Sequence, residues 1–272
     1  MWCFSSPGEV SRIDEPVGHR KASGVGCTGR LYWEIKGVSY RYPGVRFGKK
    51  ALAGVSMEIR GGEVLGVLGP NGSGKSTFLC ILAGFLAPDM GCARFGLSAG
   101  EPDGGQGRPK IAYVPDEIAW PRITAREILE RLGRIGGLDR ERAMEQARLA
   151  LEQVGLSSVG DGVVATFSRG MKQRLGIAQS LLERPDLLLL DEATSGLDPF
   201  GTRDFVRILD GLKREGCAVV LASHQVGELE QVCDRVAFFS AGRCSGVWSM
   251  EELVEDWGSL NEGFRNICQA EL

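Results

Sequence analysis

The sequence predicts an α/β fold with a mostly parallel central sheet. Residues 187–190 and 219–221 are almost continuously aliphatic, which is typical of strands buried on both faces of a parallel sheet. From Leu31 onward, short β-prone runs alternate with longer helical patterns, as in other α/β proteins. Of the 272 residues, 43% are hydrophobic and 25% are charged, so the chain can bury a core of normal size.

Individual elements follow from local patterns. Strands are predicted where aliphatic, aromatic or β-branched residues cluster, at residues 31–40, 55–60, 63–68, 111–114, 187–190, 218–222 and 235–239. Helices are predicted where apolar residues recur every three or four positions, first after Lys75 and then at residues 125–134, 140–154, 170–182, 202–214 and 226–232. Three of these helices follow one another between about residues 119 and 182, which predicts a helical lobe on the α/β core.

We expect one domain over residues 31–272, preceded by an irregular extension. Residues 1–30 mix Pro, Gly, Ser and isolated charges without periodicity and contain no signal-peptide pattern, so we assign them no function. Only fifteen residues follow Trp257, so no appended regulatory domain is expected.

Hydropathy and charge exclude two broad classes of protein. No apolar run approaches the roughly 20 residues that a spanning helix needs, so the chain itself is not expected to cross a membrane. Acidic residues outnumber Lys and Arg by 35 to 32, which argues against a large nonspecific nucleic-acid surface.

The eight cysteines are scattered without a CxxC pair, which is typical of reduced cytosolic thiols.

The segment GPNGSGKST carries the most specific motif. It satisfies GxxxxGK[ST] directly after an apolar strand and before a helix, and a chance match is expected in about one chain in a hundred of this length. Glycines let backbone N–H groups point at phosphate, and the helix N-terminus adds positive potential. We expect Lys75 to contact the β and γ phosphates and Ser76 to complete a Mg²⁺ shell. The candidate nucleotide contacts are Gly69, Pro70, Asn71, Gly72, Ser73, Gly74, Lys75, Ser76 and Thr77.

Polar residues follow two of the predicted buried strands. Asp191 and Glu192 come directly after residues 187–190, at the strand end where α/β sheets bind ligands. We expect Asp191 to hold Mg²⁺ and Glu192 to polarise the water that attacks the γ phosphate; the alternative is an acidic pair that starts a helix. His224 ends another strand, and a γ-phosphate contact is favoured there over a satisfied polar residue.

With these motifs in place, residues 31–272 resemble the ATP-binding cassette family. The segment FSRGMKQRLGIAQSLLERPDLLLLDEATSGLDP is similar to that family's signature segment, acidic strand and following loop in unbroken order. The resemblance implies a phosphate-loop NTPase core with a mostly parallel sheet, an antiparallel β subdomain and a helical signature subdomain. It also implies ATP hydrolysis with Mg²⁺ and head-to-tail pairing with a second cassette, identical or different, because the signature of one chain completes the ATP site of the other.

Further site residues are implied by this resemblance. Ser168 and Gly170 match the signature positions that contact ATP in the partner, and Asp198 matches the loop that links the two sites. Tyr42 matches the aromatic residue that stacks on adenine, with Tyr40 as its rival.

Three positions depart from the family pattern. Asp116 stands where a glutamine normally contacts Mg²⁺ and the membrane partner; aspartate can still coordinate the ion, but it is shorter. Arg169 replaces a signature glycine, and Ala193 replaces the proline that commonly follows the catalytic glutamate. Hydrolysis is still expected, because Lys75 and Glu192 are intact.

The segment YVPDEIAWPRITARE, the RGMKQRLGIAQ signature and SLNEGFRNI resemble cassettes of export-type (ABC-2-like) systems. The leading hypothesis is therefore an ATPase subunit at the cytoplasmic face of the membrane. It would energise a separate transmembrane permease, docked near residues 116–123, through ATP-driven dimerisation. One alternative is a soluble ATP switch with a nucleic-acid or assembly role, although no nucleic acid is expected; another is a noncatalytic ATP-binding scaffold.

Overall fold

The computed structural model describes residues 31–44, 50–97, 109–194 and 199–269. The predicted N-terminal extension lies outside these ranges. Within them, the strands are β1 (Leu31–Tyr40), β2 (Leu52–Arg60), β3 (Val64–Leu68), β4 (Met90–Leu97), β5 (Ile111–Val114), β6 (Leu187–Asp191), β7 (Ala218–Ser223), β8 (Arg235–Ser240) and β9 (Arg243–Ser249). They form a three-stranded sheet in the order β2-β1-β4 and a six-stranded sheet in the order β5-β6-β7-β3-β8-β9.

The six-stranded sheet is parallel apart from β9, and the three-stranded sheet is antiparallel, which confirms the predicted α/β class. Every residue of β3, β6 and β7 is buried, as the aliphatic runs predicted. In β6, Leu188 and Leu190 belong to one core cluster and Leu187 and Leu189 to another, since successive strand residues point to opposite faces.

Strand order brings the predicted functional segments together. β7 lies between β6 and β3, with Asp191 opposite Ala222 and Leu68 opposite Ser223. Because the three strands are parallel, the phosphate loop, the acidic pair and His224 leave the sheet at the same edge. This is the edge where ligands bind in α/β sheets.

The α-helices of the described residues are α1 (Lys75–Leu82), α2 (Ala125–Ile135), α3 (Arg140–Gln153), α4 (Arg169–Leu181), α5 (Pro199–Arg214), α6 (Val226–Leu229), α7 (Met250–Trp257) and α8 (Leu260–Gln269). The three successive helices predicted before β6 are present as α2, α3 and α4. Each begins at a side-chain cap, Thr124, Asp139 or Ser168, whose oxygen accepts a first-turn N–H.

Four of these strands and α-helices were missed by the sequence patterns. β4 contains two glycines, and β9 is only partly buried along its length, so neither has the apolar alternation that marks a strand. α7 is started by a capping box between Ser249 and Glu252, and α8 follows it after a short turn. α6 ends three residues before the predicted boundary, and β2 begins three residues earlier than predicted.

Candidate nucleotide-binding site

The phosphate loop joins β3 to α1, and backbone contacts exclude side chains at two of its glycines. A Cβ on Gly69 would lie 2.3 Å from the carbonyl oxygen of Phe239, and one on Gly74 would lie 2.5 Å from that of Ala51. Gly74 also has a φ of +106°, which favours glycine. It is the N-cap of α1, so the loop ends at the positive end of that helix, where an anion is stabilised.

Lys75 places a buried cation in the loop. Its side chain is 6% exposed, and its Nζ donates to the carbonyl oxygens of Gly69 at 2.8 Å and Pro70 at 3.4 Å. The same Nζ lies 3.5 Å from Glu192 Oε1. A buried ammonium held by neutral carbonyls and one carboxylate is available to an incoming phosphate.

Asp191 is a buried carboxylate with unused acceptor capacity. Burial raises the pKa of Asp191; hydrogen bonds from Ser76 and Tyr113 and the Lys75 charge oppose that rise, while Glu192 adds to it. Its Oδ1 atom is buried and accepts no well-formed hydrogen bond. An acceptor-only oxygen beside a serine hydroxyl fits the hard oxygen donors that Mg²⁺ prefers, so Ser76 and Asp191 suit this ion.

Glu192 occupies the centre of the site. Its backbone has a φ of +50°, unusual for a residue with a side chain, and its N–H donates to the Ala222 carbonyl at 2.9 Å. Its Oε2 lies 2.8 Å from Nδ1 of His224, while its Oε1 faces Lys75. Such backbone conformations cluster at functional sites, where surrounding contacts offset their cost.

Tyr42 lies at the edge of the phosphate loop, whereas its rival Tyr40 is buried. The Tyr42 hydroxyl shares a 3.1 Å hydrogen bond with Thr77 on the first turn of α1, and 46% of the residue is exposed. Tyr40 is 8% exposed and contacts the Tyr42 ring edge-on at 5.0 Å. Of the two residues, Tyr42 is the exposed one, so its ring is the one that a base could reach.

A cavity of about 220 Å³ opens between the loop and the acidic pair. It is lined by Asn71, Gly72, Gly74, Lys75, Ser76, Thr77, Asp116, Asp191 and Glu192. The signature residues Ser168 and Gly170 are not among these lining residues; Ser168 instead caps α4, accepting from the Met171 N–H. Asp198 lies outside the described residues. The cavity therefore gathers part of the loop, the acidic pair and Asp116, but not the signature; His224 does not line it and meets the site through its contact with Glu192.

Two of the departures from the family pattern contact each other. Nη2 of Arg169 donates to Oδ1 of Asp116 at 2.9 Å, and the two side chains are 54% and 44% exposed. The contact joins the loop after β5 to the first turn of α4. Asp116 consequently lines the cavity with one carboxylate oxygen already engaged.

Sequence reasoning missed two residues that contact the acidic pair. The Tyr113 hydroxyl donates to Asp191 Oδ2 at 3.2 Å, and burial together with the Asp191 charge raises the pKa of this phenol. Gln173 donates from Nε2 to the Glu192 carbonyl oxygen at 3.4 Å. Tyr113 lies near the end of a predicted strand, but the pairing of that strand with the acidic strand is visible only in the structure; Gln173 had no signal in the sequence.

Fold and site define a phosphate-loop nucleotide-binding protein. The family model described as "ABC transporter" matches residues 52–195, more than half of the chain. This chain belongs to the ABC transporter family, as one of its ATP-binding proteins.

Relatives and solved structures agree with that assignment. The linearmycin resistance ATP-binding protein LnrL of Bacillus subtilis is 35% identical over 78% of this chain and 69% of its own length. The daunorubicin/doxorubicin resistance ATP-binding protein DrrA of Streptomyces peucetius is 37% identical over 78% of this chain and 64% of its own length. The aligned region thus spans about two thirds of such relatives.

Among solved structures, cbiO1 of Clostridium perfringens, described as part of the ABC transporter complex cbiONQ, matches with a TM-score of 0.71 and 26% identity, covering 88% of this chain and 95% of that one. The ADP conformation of the ATP-binding cassette MJ1267 matches with a TM-score of 0.72, covering 89% and 99%; at 22% identity this likeness concerns the fold alone.

Proposed function

We propose that this chain hydrolyses ATP as one of two cassettes that drive a separate transmembrane permease, in the direction of export. The observation that carries the proposal is the position of Glu192, whose two carboxylate oxygens face Lys75 and His224 at the cavity of the phosphate loop. A carboxylate and an imidazole held together at a phosphate cavity suit the activation of water for phosphoryl transfer.

Binding of ATP would use the loop and its flanks. The N–H groups of the loop and the Lys75 ammonium would hold the β and γ phosphates, and Tyr42 would stack on adenine. Ser76 and Asp191 would hold Mg²⁺, with Asp116 as a further oxygen donor. Bound Mg²⁺ would neutralise charge on the β and γ phosphates.

Hydrolysis would rest on the pair of Glu192 and His224. Glu192 Oε2 would accept a hydrogen bond from the attacking water and orient it in line with the γ phosphate. His224, 41% exposed and 2.8 Å from that oxygen, would contact the γ phosphate and keep Glu192 in position. Positioning and electrostatic stabilisation supply most of the rate enhancement in phosphoryl transfer.

A second cassette, identical or different, would complete the site. Ser168 and Gly170 lie at the start of α4, and neither lines the cavity of its own chain. Ser168 is exposed. Their place in the signature supports a contact with the γ phosphate bound to the partner, through the same helix-terminus physics as the phosphate loop. Asp198, in the linking loop, would meet the partner at the same interface.

A separate chain would form the membrane-spanning part of the transporter. No helix in the described residues is long and apolar enough to span a bilayer. The relatives named above carry resistance names, which supports export and a position at the cytoplasmic face of the membrane. The permease would dock near residues 116–123, which connect the cavity to α2.

The test is affinity purification of the tagged chain from detergent-solubilised membranes, with bound proteins identified by mass spectrometry. We expect a stoichiometric multi-span partner and phosphate release that Lys75→Ala abolishes. Recovery with only soluble partners or nucleic acid, or phosphate release unaffected by Lys75→Ala, would overturn the proposal.

A further inference from the structure

Glu228 on α6 connects the two loops that carry Glu192 and His224. Its Oε2 atom accepts hydrogen bonds from the Thr194 hydroxyl and, at 2.8 Å, from the Ser223 hydroxyl. Thr194 is two residues after Glu192, and Ser223 directly precedes His224. One carboxylate oxygen therefore ties the loop after β6 to the end of β7.

Both hydroxyls have little alternative to this acceptor. Thr194 is 4% exposed and Ser223 is fully buried, so water cannot readily replace Glu228. Ser223 Oγ also accepts the Gln225 N–H at 3.0 Å, which fixes the backbone on the far side of His224. Removing the carboxylate would leave two buried donors unpaired, a costly state that the two loops can relieve only by moving.

Movement of these loops would change the Glu192 and His224 pair. Their side chains meet at 2.8 Å, from two different strands. The Glu192 N–H donates to the Ala222 carbonyl and so fixes the backbone of the first loop. Beyond that point, the Glu228 side chain joins the two loops.

We propose that Glu228 is a positioning residue that holds the Glu192 and His224 side chains in the relative position that hydrolysis requires. The inference rests on the proposed function. Glu228 does not line the cavity and its Oε2 is engaged by Thr194 and Ser223, so it acts through the pair that it positions and not on ATP itself. A displacement of about 1 Å at reacting groups can cost on the order of a hundredfold in rate.

Three variants separate this role from a general structural one. Glu228→Ala removes the acceptor, Glu228→Gln retains a carbonyl oxygen that can accept both hydrogen bonds, and Glu230→Ala removes an exposed glutamate close by. We expect Glu228→Ala to lower kcat tenfold to a hundredfold with KM for ATP changed less than threefold. Glu228→Gln should restore kcat to within about threefold of the wild type, and Glu230→Ala should match the wild type.

A readout that does not need hydrolysis distinguishes failure of this inference from failure of the proposed function. The chain has two histidines, so the ring signals of His224 can be followed by NMR in the nucleotide-free protein. We expect them to move in Glu228→Ala and to return in Glu228→Gln, whether or not the wild type hydrolyses ATP. Absence of Lys75-dependent hydrolysis in the wild type would instead count against the proposed function.

Thr194→Val keeps the test decisive if Glu228→Ala fails to fold, because it removes one donor at constant shape. We expect it to lower kcat at least threefold with KM unchanged. Unchanged His224 signals and kcat within twofold of the wild type in Glu228→Ala, or in Thr194→Val if that variant must serve, would overturn the inference. So would equal damage by Glu228→Ala and Glu228→Gln.

Discussion

Removing the Tyr113 hydroxyl tests how Asp191 is prepared for a metal ion. In Tyr113→Phe, the carboxylate loses the 3.2 Å hydrogen bond to its Oδ2 while the ring and its contact with Phe85 remain. Hydrogen bonding to the ionised form lowers a carboxyl pKa, so the variant shifts the pKa of Asp191 further up and removes one of the two donors, Ser76 and Tyr113, that orient the carboxylate. Because Mg²⁺ binds the ionised and correctly oriented carboxylate, both effects weaken Mg²⁺ binding.

The size of the effect follows from the geometry. A hydrogen bond to a charged group contributes about 1.5–3 kcal/mol, and 3.2 Å is long for an O–H···O contact, so the lower end applies. About 1.4 kcal/mol corresponds to a factor of ten in an equilibrium constant. We therefore expect the Mg²⁺ concentration for half-maximal ATP hydrolysis to rise about tenfold, with kcat at saturating Mg²⁺ within about twofold of the wild type.

The assay is steady-state phosphate release over a Mg²⁺ titration at saturating ATP. Tyr32→Phe is the matched control, because it makes the same chemical change on β1, in the other sheet, and should leave the titration unchanged. A half-saturating Mg²⁺ concentration within twofold of the wild type, or a loss of kcat that excess Mg²⁺ does not restore, would refute this reasoning.

Three further predictions concern stability and reactivity. The exposed Asp116–Arg169 pair should show a coupling of about 0.2–1 kcal/mol in a urea double-mutant cycle that fades at high salt; a coupling that persists in 1 M NaCl would contradict it. Because the pKa of Asp191 is raised on folding, its stabilising contribution is full below the unfolded pKa and is lost as pH rises through the folded one. Asp191→Asn should therefore gain stability relative to the wild type as the pH rises above about 4, the ordinary pKa of aspartate, in urea melts, and a difference that stays constant with pH would argue against it. Burial raises the pKa of Cys217 to about 12, so mass spectrometry should find this thiol unmodified by iodoacetamide at pH 8 in the native chain and modified in urea; rapid native alkylation would be inconsistent with that burial.

The sequence allowed much of the fold and the centre of the candidate site to be predicted. Lys75, Asp191 and His224 each follow a run of apolar residues, and the rule that parallel strands expose their carboxyl ends at one edge places them together. The order of the strands cannot be read from such runs. The order of the strands is visible only in the structure, where β7 pairs with both β3 and β6.

What could not be predicted depends on contacts between distant positions. Arg169 and Asp116 are 53 residues apart, and neither residue alone indicates the other as its partner. Glu228 has no motif of its own, and its importance is visible only once Thr194 and Ser223 are placed against one oxygen. Partly buried strands such as β4 were missed because pairing with β1, and not a hydrophobic pattern, holds them.

Glu192→Gln gives the most direct test of ATP-driven pairing of cassettes. The variant keeps the shape of the site but removes the carboxylate that would activate water, so ATP would bind without turnover. Light scattering with ATP and Mg²⁺ should then show the apparent mass of the chain doubling, and the change should be lost without ATP and in the Lys75→Ala, Glu192→Gln double variant. Wild-type rates of phosphate release in Glu192→Gln, or ATP bound to a chain that stays monomeric, would contradict the central claim.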